Sequence, residues 1–188
     1  MKKEIIKNVL KTSLILILAI ISTYYIYYKF QGEGNVDLTS ESLEVVYHDS
    51  EGDKIRITKV TPVTDSVGLS SNSYTISIKN NLTMDVKYKI KIVDDEEQTE
   101  KDDCESISIP KENIRISVKN GKSTNQIYTL DELEDEILLD EAIPALKSED
   151  IVIRVWIKRD STLTPGAKMH YHGKIELIEE KTETEFVV

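Results

Sequence analysis

Between residues 73 and 95, SYTISIKNNLTMDVKYKIKIVDD, apolar and polar side chains alternate almost without a slip. Tyr74, Ile76 and Ile78 share one parity, and Val86, Tyr88, Ile90 and Ile92 resume it after a short break. Successive side chains of a strand point to opposite faces, so a period of two places every apolar residue on one side of a sheet. A helix would scatter the same residues around its axis. The stretch therefore predicts two half-buried strands, and it sets the terms for the rest of the chain.

The pattern recurs. LEVVYHD (43–49) and KIRITKV (54–60) flank the turn SEGD and are expected to form a hairpin. ENIRISVKNG (112–121) ends on the turn signal Asn120-Gly121, IVIRVWIK (151–158) is rich in β-branched residues, and AKMHYHGKIELIEE (167–180) is the last long strand. TDSVGLSSNS (64–73) and the acidic stretch 94–105 read as loops. Only TLDELEDEILLDE departs from the period: Thr129 and Glu132 form a capping box, and Leu130, Leu133, Ile137 and Leu138 fall at helical spacing, predicting one short helix ended before Pro144. About seven strands, short turns, one helix and no βαβ alternation predict an all-β antiparallel sandwich over residues 42–180.

A different signal precedes it. Residues 9–28 are apolar apart from Lys11 and a few hydroxyl residues, and 20 residues of helix span about 30 Å, the thickness of a bilayer core. Lysines cluster ahead of this run and four tyrosines close it, which predicts a single-pass signal anchor with residues 1–8 as a cytoplasmic basic tail. Bulky STYYIYYKF follows instead of a small-residue cleavage site, so retention is favoured over a cleaved, secreted form. Residues 29–41 read as a polar linker, and 181–188 as a C-terminal tail. The membrane is thus the expected partner of residues 9–28, and the sandwich is expected outside the cell.

Charge narrows the remaining partners. Residues 1–30 carry five lysines and one glutamate, which leaves the remainder at −14 against −10 for the whole chain. So acidic a domain is repelled by phosphate backbones, which excludes nucleic acid. A single cysteine, Cys104, cannot form an internal disulfide, and its acidic neighbours oppose the thiolate.

Few residues invite chemistry. His170 and His172, two apart on a strand, project from the same face and are the candidate metal ligands. They share the even parity with Lys168, Lys174 and Glu176, whereas Met169, Tyr171, Ile175 and Leu177 take the core parity, so both histidines are expected on a solvated face. The acids 94–103 lack the spacing of a calcium loop and read as a solvated segment. Gly121-Lys122-Ser123 lacks the upstream glycine of a phosphate-binding loop, and Asn81-Leu82-Thr83 is a bare glycosylation sequon. Trp156 lies on the even face of its strand, either as a binding aromatic or, the favoured reading, as cover for a second packed layer. No catalytic residue and no cofactor are assigned.

YTISIKNN, DVKYKIKIVDD, IVIRVWIKRDST and GKIEL together resemble the TasA/camelysin-like exported sandwiches of Gram-positive bacteria. The resemblance covers about the last 145 residues. It implies a cell-surface or biofilm-matrix protein, in a family where some members assemble through strand exchange. The protease activity linked to camelysin does not carry over, because H-E-x-x-H is absent. The expected function is a membrane-anchored, non-enzymatic module for surface structure, adhesion or binding of an envelope partner, with self-association open to it. The alternative is an exported metal-dependent enzyme or metal-binding protein using His170 and His172.

Overall fold

Period-two patterning becomes two packed sheets in the computed structural model, which describes residues 35–37, 42–101, 108–121 and 123–180. The anchor at 9–28, the basic tail, Cys104, Lys122 and the tail 181–188 lie outside the described residues. Among the described residues no helix is long and apolar enough to cross a membrane.

Eleven strands are described: β1 (Asn35–Asp37), β2 (Leu43–Tyr47), β3 (Lys54–Ile57), β4 (Pro62–Val63), β5 (Tyr74–Asn80), β6 (Val86–Asp94), β7 (Ile114–Asn120), β8 (Gln126–Thr129), β9 (Ile137–Ile143), β10 (Ser148–Lys158) and β11 (Tyr171–Glu180). The first sheet has the order β1-β2-β5-β10-β7-β8, with β4 also paired to β10; the second is β3-β11-β6-β9. Every pairing between strands is antiparallel except that of β4 with β10. The expected sandwich is present, with more strands than the seven the period marks. Four are additional: β9, in the stretch expected to be helical, and β1, β4 and β8, whose two to four residues are too few for a period to register.

Inner faces follow parity. Val45, Ile78, Ile116, Ile151 and Ile153 of the first sheet and Ile55, Tyr88, Ile90, Ile92 and Ile175 of the second are at most 1% exposed and belong to one core. Each such side chain contributes about 1.5–3 kcal/mol by leaving water. Between Ile90 and Lys91 the register with β9 shifts, and there Leu138 and Leu139 are both buried. The outer face of the second sheet carries charge instead: Lys89 bonds Glu180 at 2.5 Å and Asp140 at 3.6 Å.

Three local expectations are corrected. SEGD does not close a hairpin; β2 pairs β1 and β5, whereas β3 pairs β11, so the turn carries the chain from one sheet to the other. The helix expected across 129–143 is two 3-10 turns, Leu130–Glu132 and Glu134–Glu136, followed by β9. The capping box on Thr129 forms, but Asp135 and Glu136 adopt φ of 51° and 63°, a left-handed kink that no α-helix continues through. The two stretches read as loops each hold a short helix, α1 (Asp65–Gly68) and α2 (Glu96–Lys101).

α1 supplies the second layer expected over Trp156. A side-chain Cβ on Gly68 would lie 2.2 Å from the indole, so only glycine lets the helix rest there. Asp65 accepts the indole N–H at 3.2 Å and pairs with Arg115 at 3.5 Å. Trp156 is 5% exposed as a result.

Candidate functional site

At the end of the sandwich where β11 begins and β6 ends, a concavity of about 480 Å³ opens. Its wall is built outward from β11. The Asp95 N–H donates to the His172 carbonyl at 3.0 Å, which brings the chain leaving β6 against β11. The Asp95 carboxylate then accepts the Gln98 N–H at 3.1 Å and so starts α2, satisfying a donor that a helix start leaves bare. From the other side, Ile109 N–H donates to the His170 carbonyl at 2.7 Å, which lays residues 108–110 along the entry to the strand.

Both candidate histidines line this concavity, their ring centres 5.9 Å apart and their planes crossed at 82°. The solvated setting expected for them holds only in part. His170 is partly buried, while His172 is 5% exposed. Parity placed His172 on the outer face correctly, but α2 packs against β11 there and takes that face out of water. Farther along the strand, where nothing covers it, Lys174 and Glu176 stay accessible as expected.

Tyr171 and Lys111 also shape the site, and neither was a candidate for chemistry in the sequence. Tyr171 faces inward and folds over Gly173, where a Cβ would come within 2.8 Å of the phenol oxygen. Its hydroxyl is buried beside Asp94 and, among the described residues, meets no partner at hydrogen-bonding distance. Burial, and then the negative charges of Asp94 and Glu136, push its pKa well above the ordinary tyrosine value. Lys111 bridges Asp94 at 3.0 Å and Glu136 at 3.2 Å. Burial alone would lower its pKa, yet these two bonds leave it raised, so it stays a cation that neutralises one wall. No family profile, curated protein or solved structure matches the chain. What the site can do therefore follows from its own side chains.

Elsewhere the polar clusters have structural readings. On the outer face of the first sheet, His48 Nε2 meets Ser77 Oγ at 2.7 Å, and Ser77 Oγ donates to Asp150 at 2.6 Å. Serine sits in the middle of this string, so the carboxylate does not orient the imidazole. That is the reverse of a hydrolytic triad, in which histidine stands between the other two. The Asn120-Gly121 turn joins β7 to β8 with Gly121 at φ 51°, the hairpin its sequence signals. Among the described residues, no three His, Cys, Asp or Glu side chains converge as a metal shell.

A rigid apolar tip stands at the opposite end. Asn80, 1% exposed, donates through its amide to the carbonyls of Met84, Ile143 and Pro144 at 2.8–3.2 Å, and its oxygen accepts the Leu82 N–H at 2.8 Å. The β5–β6 and β9–β10 connections are thereby clamped together. They display Met84, 49% exposed, and Leu146, 64% exposed.

Proposed function

We propose that this chain is a non-enzymatic surface module: a β-sandwich held outside the cell by the apolar run at 9–28, presenting its far end to a protein partner. The observation that carries the reading is polarity along the sandwich. β1 enters at the end where Asn35 pairs with Tyr47, whereas the clamped tip of Met84 and Leu146 lies at the other end, where Leu43 pairs with Asn80. Met84 and Leu146, exposed on these clamped connections, are the side chains the proposal assigns to contact with another surface. The resemblance to TasA/camelysin-like proteins supports the same class of role, a component of the cell surface or matrix, with no individual residue transferred.

Two measurements test this. Full-length chain with a C-terminal epitope, expressed in a Gram-positive host, should fractionate with membranes and lose the epitope when intact cells are treated with protease. An epitope protected until lysis overturns the topology. Photocrosslinking from position 146 on intact cells should then yield a discrete adduct, either a heterologous envelope protein or a second copy. Replacing Met84 and Leu146 by serine should abolish the adduct while the melting temperature stays within a few degrees. Adduct formation indifferent to these substitutions removes the tip from the proposal.

A further inference from the structure

The concavity beside β11 holds a pair of side chains with a chemistry of their own. We propose that His170 and His172 form a site for a divalent transition metal. Three observations converge on it. His172 is the second residue of β11 and His170 stands just ahead of the strand, bridged to Ser108, in extended backbone that projects both rings from one face. Their centres are 5.9 Å apart. With a metal–nitrogen bond of about 2.0–2.1 Å, a bound ion stands about 3 Å from each ring centre, so centres between about 5 and 6.4 Å apart can share one. The crossed planes are no obstacle, because each ring can rotate about its own metal–nitrogen bond, and His170 is the less buried ring.

Charge favours a cation here. Asp94, Glu96 and Lys111 line the same concavity; Lys111 offsets Asp94, so Glu96 and the chain's net charge of −10 supply the attraction for a cation. Imidazole nitrogen selects zinc, nickel or copper over calcium and magnesium, which prefer all-oxygen shells. Among the described residues no third His, Cys, Asp or Glu completes the shell, so water fills the other positions. Two imidazoles with water give a labile, micromolar site, suited to a metal-bridged contact or metal-sensitive conformation. This site is independent of the surface-module reading, and the failure of either leaves the other standing.

The test is titration of full-length, chelator-stripped protein in detergent with zinc followed by calorimetry, and with cobalt followed by absorption. One equivalent should bind in the micromolar range. His170→Ala should weaken binding by at least about tenfold, as expected when a ligand is lost, and His48→Ala should leave it unchanged. Because His172→Ala removes a buried side chain and risks the fold, the second ligand is read in the parent protein: zinc should shift the imidazole nitrogen resonances of His170 and His172 together, and leave those of His48 in place. Absence of saturable binding up to about 1 mM overturns the site. So does His170→Ala binding as tightly as the parent, or a shift confined to His48.

Discussion

Gly68 and Trp156 are one feature seen from two sides. The indole fills the place a Cβ would need, so Gly68→Ala must lift α1 or turn the ring. Such overpacking costs about 1–3 kcal/mol. Trp156 is the chain's only tryptophan, so its fluorescence reports the change directly. Gly68→Ala should lower the urea midpoint and red-shift the native emission; an unchanged spectrum and midpoint would show that α1 does not rest on the ring. Asn80 is a second such residue. Asn80→Ala strips three carbonyls and one N–H of a buried partner, an expected loss of about 1–3 kcal/mol, whereas exposed Asn81→Ala should stay within about 0.5 kcal/mol. Equal effects at the two positions would refute the clamp. The phenols of Tyr74, Tyr88 and Tyr171 are all raised, chiefly by burial. Below about pH 10 they are neutral folded or unfolded; above it the unfolded chain releases protons that the folded chain keeps. Stability should therefore be intact up to that pH and fall as pH climbs beyond it, and Tyr171→Phe should flatten the fall. Native Tyr171→Phe protein showing one phenol's worth less tyrosinate absorbance near pH 10 than the parent would contradict this.

Elements were legible where they were long and half-exposed. β5, β6, β7 and β10 could be read from parity alone, because one face of each meets the core and the other is mostly polar, Trp156 under α1 being the apolar exception. Short pairings such as β4 with β10 depend on partners remote in sequence, and alternation identifies faces but not neighbours. The stretch 129–143 misled for a physical reason: leucines at helical spacing also suit two tight turns and a strand, and the left-handed pair Asp135 and Glu136 chose the latter. At the site, the histidine pair and its shared face were visible in sequence, but the burial of His172 was not, since it depends on α2 folding back across β11. The β9–β10 connection offers a test at this scale. Leu146 holds φ 57°, a conformation costing a non-glycine residue about 1–2 kcal/mol. Leu146→Gly should leave stability equal or higher, and β-branched Leu146→Val should lower it. Chemical denaturation showing glycine as the less stable of the two would mean the strain is not real. An exposed leucine in a strained conformation agrees with the contact proposed for this tip.

Across the whole sandwich the chain keeps changing sheets, so most neighbours in space are strangers in sequence. Full-length protein should accordingly fold slowly for its size, in milliseconds to seconds rather than microseconds, as stopped-flow fluorescence of Trp156 would show. Removing β11 should leave no cooperative unfolding transition, because β3 would then lose its partner and β6 one of its two. The same arrangement sets a timetable for synthesis. β5 and β7 have no common neighbour until β10 has been made, and β3 and β6 have none until β11 follows. A nascent chain thus carries two unfinished sheets with bare edges through nearly all of its elongation, and it closes both within its final few dozen described residues. Under the export proposed above, the chain would be threaded before its sheets can close, and the last strands would seal the molecule afterwards.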